Sequence, residues 1–123
     1  MLQPIVLVFL FFGVIFAATH TLAVDASLYW YYPWFDVVMH TWGGVMVALG
    51  VLALKTLKPF RDIPAFWFFI TALALAIVSW EIFEWYAGLY DPETHVRDTI
   101  EDVALGTFGG LVTFYLLTHK KNR

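Results

Sequence analysis

The sequence predicts an all-α integral membrane protein, a four-helix bundle in one transmembrane domain with both termini in the cytoplasm. Three observations carry this. Hydrophobic residues fill 61% of the 123 positions and charged residues only 14%, against roughly 25% charged in ordinary soluble domains. Charged side chains are absent from four long runs: Met1 to Val24, Val37 to Leu54, Ile63 to Trp80 and Val103 to His119. The basic residues cluster between the second and third runs and after the fourth. The mean hydropathy of +0.74 excludes a disordered chain, which needs low hydrophobicity and high charge. So few polar side chains could not cover a soluble globule. With no cysteine there is no disulfide, thiolate metal site or cysteine nucleophile. No basic tract is long enough to track a nucleic acid, so no nucleic-acid partner is expected.

A membrane span needs about 20 mostly apolar residues. The first helix is expected at about 4–24. No basic residue precedes its apolar stretch, and Ala17-Ala18-Thr19 is a poor cleavage site, so it reads as a retained helix, not a signal peptide. The second is expected at about 35–56, after Pro33. The segment Tyr29-Trp30-Tyr31-Tyr32-Pro33-Trp34-Phe35 before it is an aromatic belt for the interface. It serves either to anchor the chain or to stack a substrate. Asp62-Ile63-Pro64 opens the third helix, at about 63–88, with an acid and an early proline. Asp91-Pro92-Glu93 precedes the fourth, at about 95–118. Lys55, Lys58 and Arg61 lie in the central loop, and Lys120, Lys121 and Arg123 in the tail. The positive-inside rule puts both clusters in the cytoplasm, with the chain multi-pass in its membrane. Arg97 alone falls on the outer side.

The remaining ionisable groups share one depth. His20 lies near the outer end of the first helix. Asp36 and His40 open the second, Glu81 and Glu84 close the third, and Asp98, Glu101 and Asp102 open the fourth. Spacings of three or four residues put Asp36 with His40, Glu81 with Glu84, and Asp98 with Asp102 on common helix faces. Glycines continue these stripes, from His40 to Gly44, from Glu84 to Gly88, and from Asp102 to Gly106, Gly109 and Gly110. Small residues let helix backbones approach, so the stripes are expected to face the bundle interior. A charge within a span costs at least roughly 2.5–3.5 kcal/mol. Six carboxylates with one nearby arginine must therefore bind cations, share protons or open to water. Two histidines among them suit Zn²⁺, Mn²⁺ or iron, with ligands enough for two ions. Carboxylates and histidines from four helices hold metal pairs in known bundles. Their Glu-x-x-His motif is replaced here by Glu81-x-x-Glu84.

Simpler roles exist for several of these residues. Asp36 and Asp98 could be acids favoured by a helix N-terminus. Glu101 could face interfacial water, and His20 could be a hydrogen-bonded core histidine. His40, Glu81, Glu84 and Asp102 sit deeper, where capping explains nothing. His95, Asp91 and Glu93 read as loop residues, and His119 belongs with the basic tail.

The runs Asp36-Val37-Val38-Met39-His40-Thr41-Trp42-Gly43-Gly44, Trp80-Glu81-Ile82-Phe83-Glu84-Trp85 and Arg97-Asp98-Thr99-Ile100-Glu101-Asp102, with Gly106, resemble the bacterial YjdF-like inner-membrane proteins. More distantly they resemble the VanZ-like family. The resemblance spans about Asp36 to Leu116, and the first helix matches in hydrophobicity alone. It implies a polytopic membrane protein with Asp36, His40, Glu81, Glu84, Asp98 and Asp102 as the site, and no settled reaction. Typical members are longer, which implies that flanking helices are lacking here.

Three functions follow. The first is a metal-dependent membrane hydrolase acting on lipid or a lipid-linked envelope substrate. Asp36, His40, Glu81, Asp98 and Asp102, with His20, would hold the metal, and Glu84 would be the catalytic base. The second is a small structural or accessory subunit of a larger membrane complex or homo-oligomer. In that setting His20 and His40 could even ligate a haem. The third is a cation or proton carrier, against which the purely apolar inner halves of the helices count.

Overall fold

Apolar runs of this length leave the backbone one economical solution in lipid, which is to satisfy its hydrogen bonds within helices. The computed structural model describes residues 2–119 and contains four helices long and apolar enough to cross a membrane. They are α1 (Pro4–Asp25), α3 (Pro33–Leu54), α4 (Ala65–Ala87) and α5 (His95–His119). The expected boundaries hold to within two residues at every end. The aromatic belt differs, because part of it folds into a short helix, α2 (Leu28–Tyr31). Ser27 turns the chain into α2 with left-handed angles of φ 55° and ψ 34°. A second departure is at Pro64, which caps α4 instead of lying inside its first turn.

The α3 helix is the hub of the bundle. It packs against α5 most extensively, then against α1 and α4. The α3–α5 seam is made of glycines. A Cβ on Gly44 would overlap the Gly106 carbonyl oxygen, and one on Gly109 would overlap the Thr41 carbonyl oxygen. The two backbones therefore touch directly, which only glycine permits. Gly88 does not belong to this seam. It sits at φ 68° beyond the end of α4, with nothing within 4 Å of where a Cβ would stand. Its amide and that of Leu89 return to the last turn, to Trp85 and Glu84, in the usual left-handed helix ending.

The apolar core lies toward the central loop. Ala48, Val51, Phe69, Leu73 and Phe114 are buried together, and the Phe69 and Phe114 rings stack at 4.7 Å. The loop is tied off by Lys55, whose Nζ donates to the Phe60, Arg61 and Ile63 carbonyls. Lys55, the residue that ends α3, thus folds the following loop around its own ammonium group. The second basic cluster, Lys120, Lys121 and Arg123, lies outside the described residues. At its other end α1 buries Ala23 alone. It rests on α3 and α2 and presents most of its length to lipid.

Candidate functional site

Opposite the apolar core, the other end of the bundle gathers the polar groups. Asp36 and His40 stand one helical turn apart on α3, and His40 Nε2 lies 3.2 Å from Asp36 Oδ1. The glycine seam brings α5 close enough for Asp102 Oδ1 to reach the same nitrogen at 3.4 Å. Asp102 is the one buried charged residue among those described, with 7% of its surface exposed. Ligand-capable atoms of Asp36, His40 and Asp102 all lie within 4.8 Å of one another. From α4, Glu81 and Glu84 form a second such group, again with Asp102. Asp102 therefore links two clusters of three.

Neighbouring side chains orient these groups. Thr99 Oγ1 donates to Glu81 Oε2 at 2.6 Å, tying α5 to α4. The Trp80 indole stands between the two histidines, 5.1 Å from the His20 ring and 5.8 Å from the His40 ring, edge-on to both. His20 Nδ1 shares a 2.8 Å hydrogen bond with the Tyr29 hydroxyl. Burial pushes the Tyr29 phenol up to about 12, and the Asp36 and Glu84 carboxylates add to the shift. Tyr29 therefore stays protonated and available as a donor.

Five of the seven expected site residues meet in these two groups: Asp36, His40, Glu81, Glu84 and Asp102. His20 stands apart from both, joined to Tyr29, although it shares a cavity with His40, Glu81 and Asp102. Asp98 lies in neither group. One turn before Asp102 it is about 6 Å farther along the axis, and Thr94 Oγ1 donates to it at 2.5 Å. Glu101 points outward to Arg97 at 2.8 Å, as its simpler reading anticipates. Three contributors escaped the sequence reading. Trp80 was hidden among many aromatic residues, though it directly precedes Glu81. Thr99 sits inside the Asp-Thr-x-x-Asp run and reads there as a spacer. Tyr29 was grouped with the belt as a whole.

Below this layer lies a cavity of about 280 Å³. His20, Tyr29, His40, Trp80, Glu81 and Asp102 form its polar end. Phe16, Met46, Val47, Leu73, Ala76 and Ile77 form its apolar end.

A family model described as "Predicted membrane protein (DUF2238)" matches residues 2–123, and the chain belongs to that family. This supports the resemblance to YjdF-like membrane proteins. The match also takes in the first helix, which the sequence motifs had left out. No curated protein and no solved structure matches the chain.

Proposed function

We propose that this member of a family of predicted membrane proteins is a membrane-embedded metal protein whose polar layer carries hydrolytic chemistry on lipid or lipid-linked molecules. The supporting observation is the convergence of Asp36 and Asp102 on one nitrogen of His40. One N–H cannot satisfy two carboxylates well, and two carboxylates at that distance repel. A divalent ion resolves both. Zn²⁺ with bonds of about 2.0–2.1 Å sets its tetrahedral ligands about 3.4 Å apart. The separations of 3.2 and 3.4 Å match that edge. Zn²⁺, Mn²⁺ or iron would be held by Asp36, His40 and Asp102, and the Glu81–Glu84–Asp102 group could take a second ion. The metal would polarise an ester or phosphoryl oxygen and acidify its water. Glu84, beside Asp102 and outside the Asp36–His40–Asp102 group, would take the proton as general base.

In this reading the layer lies in the outer half of a bacterial inner membrane, with both termini cytoplasmic, a reading supported by the basic Lys55, Lys58 and Arg61 loop. A more distant VanZ-like relation is supported by the Asp-x3-His, Glu-x2-Glu-Trp and Asp-Thr-x2-Asp motifs of three successive helices. A second reading, an accessory subunit of a larger membrane complex, draws on the lipid-facing length of α1. Elemental analysis of the purified protein tests the first. One or two equivalents of a transition metal are expected, lost in His40→Ala and Asp102→Asn. A folded protein without stoichiometric metal, or full metal in both variants, overturns it. Stable co-purification with larger subunits would favour the second.

A further inference from the structure

Among the described residues, two buried side-chain polar atoms, Trp80 Nε1 and Glu81 Oε1, lack a hydrogen bond of good geometry; the Glu84 carboxylate, one turn on, is near the Trp80 N–H but poorly placed to accept it. Buried polar atoms are almost always satisfied, so each such exception calls for a cause. Both residues line the cavity. One offers a donor and the other an acceptor, at the polar end of a space whose remaining length is apolar.

That apolar length has a definite shape. From His40 to Val47 on α3, and from Leu73 to Trp80 on α4, it runs about 10 Å along the helix axes. Phe16 of α1 closes one side and Ala76 and Ile77 of α4 the other, with Met46 and Val47 as the floor. Between α1 and α4 the ring contact of His20 with Trp80 bridges the polar end. Elsewhere α1 packs on α3 and not on α4, so the cavity lies between two helices that are not packed together along their length. A cavity of about 280 Å³ is large enough for an aliphatic chain segment.

We propose that this cavity binds a single-chain amphiphile with a hydroxyl head, a long-chain alcohol or its equivalent. The tail enters between α1 and α4 and lies along Phe16, Met46 and Leu73. The head oxygen accepts from Trp80 Nε1–H, and its O–H donates to Glu81 Oε1. A hydroxyl fits both orphaned atoms at once. A phosphate head fits less well, because it has no proton to offer Glu81 and faces Asp36, Glu84 and Asp102 nearby. The head's place beside the reacting groups rests on the functional reading above, and the seating of the tail does not. Under that reading the molecule is the alcohol released when its ester is cleaved.

The test is photolabelling of the full chain in nanodiscs with a dodecanol that carries a diazirine in mid-chain, mapped by peptide mass spectrometry. Labels are expected on Phe16, Met46 and Leu73, falling about tenfold or more with excess dodecanol but not with dodecyl phosphate. Ala76→Phe, which fills the cavity from α4, should abolish them, and Trp80→Phe should weaken them. If Ala76→Phe fails to fold, Gly43→Leu fills the same space from α3, where a Cβ meets only Phe16 at 3.9 Å. Labels spread over the lipid-facing Leu75, Val78 and Ile82, unchanged by either filling variant, would overturn the proposal. So would equal competition by dodecyl phosphate. Cavity labelling without bound metal would sink the metal reading alone. Bound metal without cavity labelling would sink this inference alone.

Discussion

Gly43 and Gly44 are neighbours on one helix, yet alanine should have opposite effects at the two positions. At Gly44 the new Cβ would overlap the Gly106 carbonyl oxygen and stand 2.8 Å from both the Gly106 carbonyl carbon and the Gly110 nitrogen. All three are backbone atoms and cannot rotate away. Restoring ordinary contact of about 3.5–4.0 Å with the Gly106 oxygen requires α3 and α5 to part by roughly 1.5–2 Å. Overpacking of this kind costs about 1–3 kcal/mol. The upper end applies here, because the strain falls on the most extensive seam of the bundle. At Gly43 the Cβ meets only Phe16 Cζ at 3.9 Å. Alanine fits there and gains helix propensity, so the change should stay within about 0.5 kcal/mol or stabilise. Reversible unfolding by SDS titration in mixed micelles, followed by far-UV circular dichroism, measures both. A Gly44→Ala loss below about 0.5 kcal/mol, or equal losses in the two variants, would refute the backbone-contact argument. Gly44→Ala should also lengthen the 3.4 Å His40–Asp102 approach and, under the proposed metal reading, weaken metal retention.

Three further outcomes are expected. Gly88→Ala should cost about 1 kcal/mol from its left-handed backbone alone, since nothing crowds the position, and Gly88→Asn should cost less; the same SDS titration checks both. The Tyr29 phenol should titrate near 12, against about 10 for an ordinary tyrosine, read as the 295 nm absorbance difference between the protein and Tyr29→Phe. Because the folded state favours the neutral phenol, the stability linked to Tyr29 is intact below about pH 10 and is lost as pH rises toward about 12. Lys55→Ala should free the Phe60, Arg61 and Ile63 carbonyls and speed hydrogen exchange in the 55–64 loop, while leaving metal content unchanged.

Much of the site was legible because helix periodicity is a local property. A spacing of four residues fixes Asp36 and His40 on one face, and antiparallel helices place both with Glu81 and Asp102 at one depth. The membrane strengthened the inference, since a carboxylate in lipid needs a reason to be there. Asp98 shows the limit. It has the same spacing to Asp102 as Asp36 has to His40, yet it turns to Thr94 and stays out of both groups. Gly88 shows another, for it continues the stripe below Glu84 in sequence while ending the helix in space.

The sequence by itself determined the solvent, the number of spans and the layer in which the ionisable groups lie. Each follows from the chain's local composition and from the 3.6-residue turn. Only the tertiary structure decided which groups meet. The glycine seam sets α3 against α5 and carries Asp102 to His40. The looser seat of α1 leaves a cavity below Trp80 and Glu81. Those outcomes depend on how closely two particular helices approach and how they are rotated, which is fixed by backbone contact between residues some 60 positions apart in the chain.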